Sequence, residues 1–251
     1  DTLAFDKENN LMLTYYSSDS KIVKFSPDGK QISDNTTDKF PYSISIDSDN
    51  NVFIGINYYL SDYNYLSKII KYDQNGKKIY EWGEYGTEDD KLNVIGKIRF
   101  GKDGNLYILD RKNKIGIFSK DGVFIKAFGD FNFPTGIAFD IAGNIYVSDN
   151  SDKIYIFNDK HEILNTINMN DRFSVAYISD IIIKNDLLFV SDYYNQKLLI
   201  FNLNNNSIVF KKNIILNKGH YAGTLALNNN NDLYFIDEAT NGFYIYDFVS
   251  D

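Results

Sequence analysis

Four aspartates in this 251-residue chain share one place in a repeated pattern, at the end of a short apolar run. Carboxylate oxygens are hard ligands, so a group of them at one end of a fold would suit a divalent cation. The alternative is that each carboxylate caps its own loop by accepting hydrogen bonds from backbone N–H groups. We favour capping, because a position that recurs in successive repeats serves the repeat more often than a site. The four residues are Asp110, Asp149, Asp192 and Asp237.

The two histidines of the chain limit the chemistry that it can perform. His220 directly precedes Tyr221, where an imidazole could act as a general base or a metal ligand. His161 lies in a predicted turn and is expected to be solvated. Two histidines cannot build a multi-histidine metal site. We therefore assign no catalytic residue and no cofactor, and we keep a divalent cation on the four aspartates as the weaker alternative.

Tyrosine is the distinctive residue of the predicted loops. Residues 57–67 form a segment longer than its counterparts elsewhere, and it is predicted to be a tyrosine-rich loop. A tyrosine ring combines a flat apolar body with a polar tip, which suits a protein, peptide or glycan partner. Because the chain holds 20 tyrosines, packing within the core is the alternative interpretation. Together with His220, the predicted ligand-binding residues are Tyr58, Tyr59, Tyr63, Tyr65, Tyr193, Tyr194 and Tyr221.

The elements that must position these residues are short repeated strands. An apolar run with an aromatic end, led by lysine in five of its six copies, recurs at intervals of 39 to 47 residues. A second run, introduced by Asn or Asp as in Asn144-Ile145, recurs with it. A period of about 40–45 residues with four strands per unit is typical of β-propeller blades. The six copies of the first run are 21–25, 68–72, 114–118, 153–157, 197–201 and 242–246.

These two anchors predict a single all-β domain, a six-bladed β-propeller of four-stranded antiparallel blades with almost no helix. Asp-Gly and Asn-Gly pairs predict tight hairpins between third and fourth strands. The sixth blade is predicted to lack its outer strand, with Tyr244 and Tyr246 near the open edge. Residues upstream of Asp1 are the hypothetical source of that strand. The blades are placed near 1–39, 40–91, 92–132, 133–173, 174–220 and 221–251.

Composition restricts the partners. The net charge of −8 repels phosphate backbones, so no nucleic-acid partner is expected. The absence of cysteine excludes disulfides, thiol catalysis and cysteine-bound zinc. No apolar run reaches the roughly 18 residues of a membrane span. Because the chain starts at Asp1, we expect a monomeric domain of a larger or processed protein, with an extracytoplasmic location slightly favoured.

One unit carries a family resemblance. Residues 133–140, FPTGIAFD, followed by residues 143–149, GNIYVSD, resemble the NHL repeat. In that family the pattern is Pro-x-Gly-Ile-Ala-x-Asp, then Gly-Asn-hydrophobic-Tyr-Val-x-Asp, then a basic residue and an Ile-x-x-Phe strand. The resemblance covers the whole chain, most closely in the fourth unit, and implies a six-bladed propeller. It does not imply one activity, because NHL relatives include RNA-binding, protein-binding and enzymatic members.

The sequence therefore predicts a non-enzymatic binding module that presents a tyrosine-rich, acidic loop face to a protein, peptide or glycan. The acidic part is the link 83–91, which carries Glu84, Glu88, Asp89 and Asp90. The alternative is a divalent-metal-dependent hydrolase or lyase resembling the gluconolactonase and regucalcin group. That group uses Glu, Asn and Asp around its metal ion, and its ligand set is not matched residue by residue in this chain.

Overall fold

A computed structural model of the chain describes residues 2–15, 20–37, 40–61, 64–110, 112–230, 232–237, 239–240 and 242–246. These residues form 23 β-strands and one five-residue helix. The strands make six antiparallel sheets, five of four strands and one of three. This confirms the prediction of an all-β six-bladed propeller whose sixth blade has three strands. The chain divides into two compact units, Asp1–Asp130 and Phe131–Asp251.

The first unit contains three four-stranded blades, in each of which sequence neighbours pair as antiparallel strands. Blade one holds β1 (Thr2–Phe5), β2 (Leu11–Tyr15), β3 (Lys21–Phe25) and β4 (Gln31–Thr36). Blade two holds β5 (Pro41–Ile46), β6 (Val52–Ser61), β7 (Asn64–Tyr72) and β8 (Lys78–Trp82). Blade three holds β9 (Ile95–Phe100), β10 (Leu106–Asp110), β11 (Ile115–Phe118) and β12 (Phe124–Phe128).

The second unit contains the other three blades and the helix. Blade four holds β13 (Pro134–Phe139), β14 (Ile145–Asp149), β15 (Lys153–Phe157) and β16 (Ile163–Asn168), and α1 (Met169–Phe173) follows. Blade five holds β17 (Ile178–Lys184), β18 (Leu187–Asp192), β19 (Lys197–Asn204) and β20 (Ser207–Ile215). Blade six holds β21 (Ala222–Leu227), β22 (Leu233–Asp237) and β23 (Gly242–Tyr246). Tyr244 is 39% exposed on β23, the last described strand, and the side chain of Tyr246 lies outside the description.

Helix α1 is the element that the apolar pattern did not predict. Its five residues are too few to show a helical period. The Asn168 side chain caps its start by accepting a hydrogen bond from the Asp171 N–H (3.1 Å). Met169 is fully buried, and the Phe173 ring packs 4.9 Å from that of Phe201 in blade five. The helix therefore anchors the link between blades four and five.

The cores lie between neighbouring blades. In the first unit, Phe53 and Ile69 of blade two join Ile98 and Ile108 of blade three in one buried cluster. In the second unit, one cluster joins blades four and five and another joins blades five and six. Complete burial of one such side chain stabilises a fold by about 1.5–3 kcal/mol. Each sheet within a unit thus gains stability from packing against the next.

The outer hairpins turn at the predicted glycines. The N–H of Gly29 donates to the Ser26 carbonyl (2.8 Å), and that of Gly76 donates to the Asp73 carbonyl (2.9 Å). Both glycines have φ of +81°, a backbone conformation that only glycine adopts without steric cost. Gly122 ends the corresponding turn of blade three with φ of +83°. The Asp-Gly and Asn-Gly pairs therefore form the predicted turns.

The turn at Gly122 also packs against a tryptophan side chain. A Cβ built on Gly122 would lie 2.6–2.8 Å from ring atoms of Trp82. Gly104 has a comparable φ of +75°, but a Cβ there would meet nothing within 4 Å. Both alanine variants bear similar backbone strain, so we expect Gly122→Ala to lose about 1–3 kcal/mol more than Gly104→Ala through overpacking. Thermal denaturation followed by circular dichroism measures the difference. Equal losses would mean that the indole moves aside without cost.

Side chains on the first strands join neighbouring blades of the first unit. The Ser43 Oγ of β5 accepts a hydrogen bond from the Ile98 N–H of β9 (3.0 Å). Two residues further along each strand, the Ser45 Oγ accepts one from the Phe100 N–H (3.2 Å). A small hydroxyl thus satisfies a backbone donor that no strand of its own sheet reaches at that position.

In the second unit, the carboxylate of a single aspartate accepts hydrogen bonds from two backbone N–H groups. Asp180 of β17 is fully buried. Its Oδ2 accepts from the Leu225 N–H of β21 (2.9 Å), and its Oδ1 accepts from the adjacent Ile181 N–H (2.8 Å). Gly136 occupies the matching place in blade four and has no side chain to reach Ile181. A Cβ on Gly136 would lie 2.8 Å from that nitrogen, so the packing leaves no space for one.

Candidate functional site

Four tyrosines of the second unit form a continuous aromatic group, here called the tyrosine cluster: Tyr177, Tyr193, Tyr194 and Tyr221. The Tyr193 ring is central, with centroids 6.1 Å from Tyr177, 5.4 Å from Tyr194 and 5.0 Å from Tyr221. The Tyr177 and Tyr194 rings are 5.4 Å apart. These separations fall in the range of about 4.5–7 Å in which aromatic pairs attract each other. The rings therefore support one another at fixed angles.

A turn after β18 presents two of these rings. The Tyr193 N–H donates to the Tyr177 carbonyl (2.9 Å), and the Gln196 N–H donates to the Tyr193 carbonyl (3.0 Å). The side-chain amide of Asn195 donates to the Ser174 carbonyl (2.9 Å). These bonds tie the turn to the segment that enters β17. Backbone geometry as well as ring packing therefore fixes the cluster.

The cluster is partly open to solvent. Tyr194 is 64% exposed, whereas the other three rings are half-buried. A mostly exposed ring that its neighbours already hold in place loses little conformational freedom when a ligand covers it. Tyr194 is therefore the member best suited to contact a partner.

His220 lies beside the cluster and is oriented by a buried carboxylate. Its Nδ1 is 2.7 Å from the Asp237 Oδ2, and its ring packs 5.3 Å from that of Tyr244. The Asp237 Oδ1 also accepts from the Tyr221 N–H (2.8 Å), so one carboxylate positions both residues. Burial raises the pKa of Asp237, but its bonds from Tyr221, Thr240 and other donors outweigh burial and hold that pKa below its usual value.

The four strand-end aspartates act as caps within their own blades. All are buried, with at most 5% exposed. Each accepts a hydrogen bond from a backbone N–H in the segment that enters the first strand of its blade. This is the capping arrangement that the sequence analysis favoured over a metal site. The donor and acceptor pairs are Asn93 to Asp110 (3.0 Å), Asn132 to Asp149 (2.9 Å), Ala176 to Asp192 (3.0 Å) and Tyr221 to Asp237 (2.8 Å).

Further donors use the remaining oxygen positions of these carboxylates. Asp149 also accepts from the Ser151 N–H (3.0 Å) and the Tyr155 hydroxyl (3.0 Å), and Lys197 lies 3.2 Å from Asp192. Burial raises the pKa of Asp110, although its backbone bonds and Lys112 oppose the change. Within the described ranges no three His, Cys, Asp or Glu side chains gather as metal ligands. The carboxylates thus serve as hydrogen-bond acceptors and ion-pair partners for nearby groups.

Blades one and two have no aspartate at this position. In blade two the strand register places Ile56 there. The next residue, Asn57, joins blade two to blade three: its Oδ1 accepts from the Ile95 N–H (2.8 Å) and its Nδ2 donates to the Ile95 carbonyl (2.7 Å). In blade one, the Thr14 hydroxyl lies 3.5 Å from the Thr2 carbonyl.

Tyr58, Tyr59 and Tyr65 lie in an extended hairpin of blade two, not in the predicted loop. Strand β6 continues to Ser61 and β7 begins at Asn64, with Tyr58 opposite Leu66. Tyrosine favours paired strands, so the tyrosine-rich segment extends the sheet. Tyr58 packs 5.5 Å from the Phe40 ring, and Tyr59 is 56% exposed. Tyr63 lies outside the described residues, as does the side chain of Tyr65.

The structure also places three other predicted features: the remaining tyrosines with His220, the second histidine, and the acidic link. Tyr193, Tyr194 and Tyr221 come together, and His220 joins them through Asp237. His161 lies in the turn between β15 and β16, as predicted. Two of the four acidic residues in the link of the first unit pair with lysines: Glu84 lies 2.5 Å from Lys91, and Asp89 lies 3.1 Å from Lys114.

Tyr177 is the functional candidate that the sequence analysis missed. It precedes β17 by one residue, whereas the prediction considered tyrosines of the longer loops and of the link before blade six. The repeat register could have identified it. Tyr177 directly precedes the first strand of blade five, as Tyr221 directly precedes the first strand of blade six. Matching these two positions would have predicted a shared aromatic surface.

Comparisons with known proteins support the fold. No protein-family model and no curated protein matches the chain. Among solved structures, virginiamycin B lyase from Staphylococcus aureus matches with a TM-score of 0.70 and 16% identity, over 100% of this chain and 84% of that one. A functionally unknown protein from Desulfotomaculum acetoxidans matches with a TM-score of 0.67 and 16% identity, over 98% and 81% of the two chains.

A third match is the Cps50 (Swd1) β-propeller domain from Myceliophteria thermophila, with a TM-score of 0.67 and 10% identity, over 97% of this chain and 84% of that one. Identities this low establish the fold alone. The propeller implied by the NHL resemblance is therefore supported, whereas membership of the NHL family is not shown. In the part of the chain described, no helix is long and apolar enough to cross a membrane.

Proposed function

We propose that this propeller is a non-enzymatic binding module that holds a protein, peptide or glycan partner at the tyrosine cluster. The observation that carries the proposal is the geometry of Tyr194. Its ring is 64% exposed, yet it contacts both Tyr177 and Tyr193 at 5.4 Å. Tyrosines of this kind are frequent centres of binding energy, because they bury a large area at low entropic cost.

The polar residues around the cluster favour binding over metal-assisted catalysis. The carboxylates that a metal-dependent hydrolase or lyase would need accept hydrogen bonds from their own blades. Asp192, directly before the cluster, is fully buried, accepts from Ala176 and Asn195, and lies 3.2 Å from Lys197. A carboxylate committed to these partners stabilises the turn that carries Tyr193 and Tyr194.

We expect Tyr194→Ala to weaken partner binding at least tenfold with only a small loss of stability, about 1 kcal/mol from its two ring contacts. A tenfold loss corresponds to about 1.4 kcal/mol, the scale of an aromatic ring truncated in an interface. Because the ring is mostly exposed, the fold loses little when it is removed. The protein is screened against a glycan array and a displayed peptide library, and each partner found is titrated by calorimetry.

Tyr80→Ala is the matched control, because Tyr80 is 46% exposed on β8, outside the cluster. Partners should bind this variant as tightly as they bind the unchanged protein. Partners that bind all three proteins equally, or the absence of any partner from both libraries, would contradict the proposed function.

A further inference from the structure

The hydrogen bonds of Asp237 determine which nitrogen of His220 carries the proton. Its carboxylate faces four donor positions: the Tyr221 N–H (2.8 Å), the Ala239 N–H (3.2 Å), the Thr240 hydroxyl (2.7 Å) and the His220 Nδ1 (2.7 Å). An ionised carboxylate only accepts, and it offers about four lone-pair sites. The backbone N–H groups cannot accept a proton in return. The carboxylate is therefore ionised, and Nδ1 is the nitrogen of His220 that carries hydrogen.

In the neutral form of the ring, Nε2 is consequently a hydrogen-bond acceptor. A neutral imidazole with hydrogen on one nitrogen has a free lone pair on the other. No described residue bonds Nε2, and the His220 side chain is 25% exposed. The ring cannot turn over without breaking the bond to Asp237 and its packing against Tyr244. His220 thus presents a fixed acceptor to the surroundings.

This acceptor stands beside the tyrosine cluster. His220 and Tyr221 are adjacent and share the carboxylate of Asp237, and the Tyr221 ring lies 5.0 Å from Tyr193. One carboxylate thus fixes both the His220 ring and a residue of the tyrosine cluster.

The charges next to the cluster are largely compensated within the protein. Asp192 lies 3.2 Å from Lys197, and Asp237 is fully buried under its four donors. Lys218, two residues before His220, is an exposed cation on the same segment. The aromatic rings themselves are neutral hydroxyl-tipped surfaces. This environment suits an uncharged ligand, and Lys218 makes acidic ligands the necessary comparison.

We propose that the partner of the tyrosine cluster is a neutral carbohydrate with one hydroxyl that donates to the His220 Nε2. The proposal rests on the proposed binding function and narrows it. A pyranose ring has a face of C–H groups, and covering that face with a tyrosine ring removes apolar surface from water. Its rim carries hydroxyl donors, so one sugar can stack and donate together. A phenylalanine or proline side chain of a peptide stacks without such a donor, and a tyrosine or tryptophan brings a single one, whereas the rim of a sugar carries several.

The first experiment uses an array of neutral oligosaccharides of glucose, galactose, mannose and N-acetylhexosamines, with sialylated counterparts. We expect a neutral oligosaccharide to bind, and its deoxy analogues are then titrated against the unchanged protein and His220→Phe. Removing one hydroxyl should weaken binding to the unchanged protein about five- to tenfold, the effect of a single hydrogen bond. The same analogue should bind His220→Phe no more weakly than the parent sugar does.

A second measurement uses only the unchanged protein, so it does not depend on the folding of a variant. The ¹⁵N resonances of His220 should report hydrogen on Nδ1 and a lone pair on Nε2. Adding the oligosaccharide found in the first experiment should shift the His220 Nε2 resonance. The ¹⁵N resonances of His161, the other histidine, should not shift. A spectrum with hydrogen on Nε2, or an unmoved Nε2 resonance, would overturn the proposal.

The outcomes distinguish failure of the carbohydrate proposal from failure of the proposed binding function. Peptides that bind through Tyr194 with no bound oligosaccharide would leave the binding function standing and refute the carbohydrate. Preference for sialylated sugars would likewise refute a neutral ligand. Sugar binding that is insensitive to Tyr194→Ala would instead refute the cluster as the binding surface.

Discussion

Replacing Asp149 with alanine is expected to lower the free energy of unfolding of the second unit by about 3 kcal/mol or more. Asp149 is fully buried and accepts from the Asn132 N–H, the Ser151 N–H and hydroxyl, and the Tyr155 hydroxyl. Alanine leaves these donors without their acceptor in a site that water reaches poorly, so most of their desolvation cost remains. The melting temperature should fall by roughly 6–12 °C, at about 2–4 °C per kcal/mol for a protein of this size.

Asp149→Asn is the control, because asparagine keeps the shape of the side chain and one acceptor oxygen while it removes the charge. The amide oxygen can still accept the Asn132 N–H, so this variant should lose less than half as much as Asp149→Ala. Urea denaturation followed by circular dichroism provides both values. Similar losses in the two variants would mean that the negative charge, and not the acceptor, stabilises this loop.

Asp180→Ala is expected to cost about 2–3 kcal/mol, because it removes a charged acceptor from a buried backbone donor. The Leu225 N–H of blade six loses the Asp180 Oδ2, which lies 2.9 Å away in the unchanged protein. We therefore expect Asp180→Ala to be among the most destabilising single substitutions in the second unit.

Asp180→Ser is the matched control. Ser43 shows that a hydroxyl at the matching place can bond the next blade, since it accepts from the Ile98 N–H. A serine at position 180 should therefore recover most of the loss by bonding the Leu225 N–H. Hydrogen exchange tests this directly: the Leu225 amide should exchange faster in Asp180→Ala and regain protection in Asp180→Ser. Unchanged protection of Leu225 in Asp180→Ala would show that Asp180 does not join these blades.

The sequence predicted the fold because propeller repeats have both a period and turn chemistry. Asp-Gly and Asn-Gly pairs such as Asp28-Gly29 mark the outer hairpins, and the six runs mark the third strands. The same reasoning failed for the Tyr58 hairpin, where residues of high strand propensity pair beyond the repeat length. It also gave no role to Asp180, because its partners lie on different strands and depend on packing between blades.

The site was predicted in part for a related reason. Tyr193, Tyr194, Tyr221 and His220 depart from the repeat in loops, where a residue type is not dictated by strand packing. Tyr177 sits against the start of β17 and resembles the many tyrosines of the strands. The bond between His220 and Asp237 joins a repeat position to a residue specific to blade six. Neither residue on its own predicts this hydrogen bond from the sequence.

The strand-end caps have a consequence for how such chains evolve. Asp110, Asp149, Asp192 and Asp237 each bind the entry segment of the blade that contains them, so a duplicated blade carries its own closing contact. A new copy does not have to acquire a matching partner elsewhere before it folds. Gene duplication can therefore add or exchange units without loss of the closing contact, and the other positions of each copy are free to differ, as the tyrosines after Asp192 and the histidine bonded to Asp237 do.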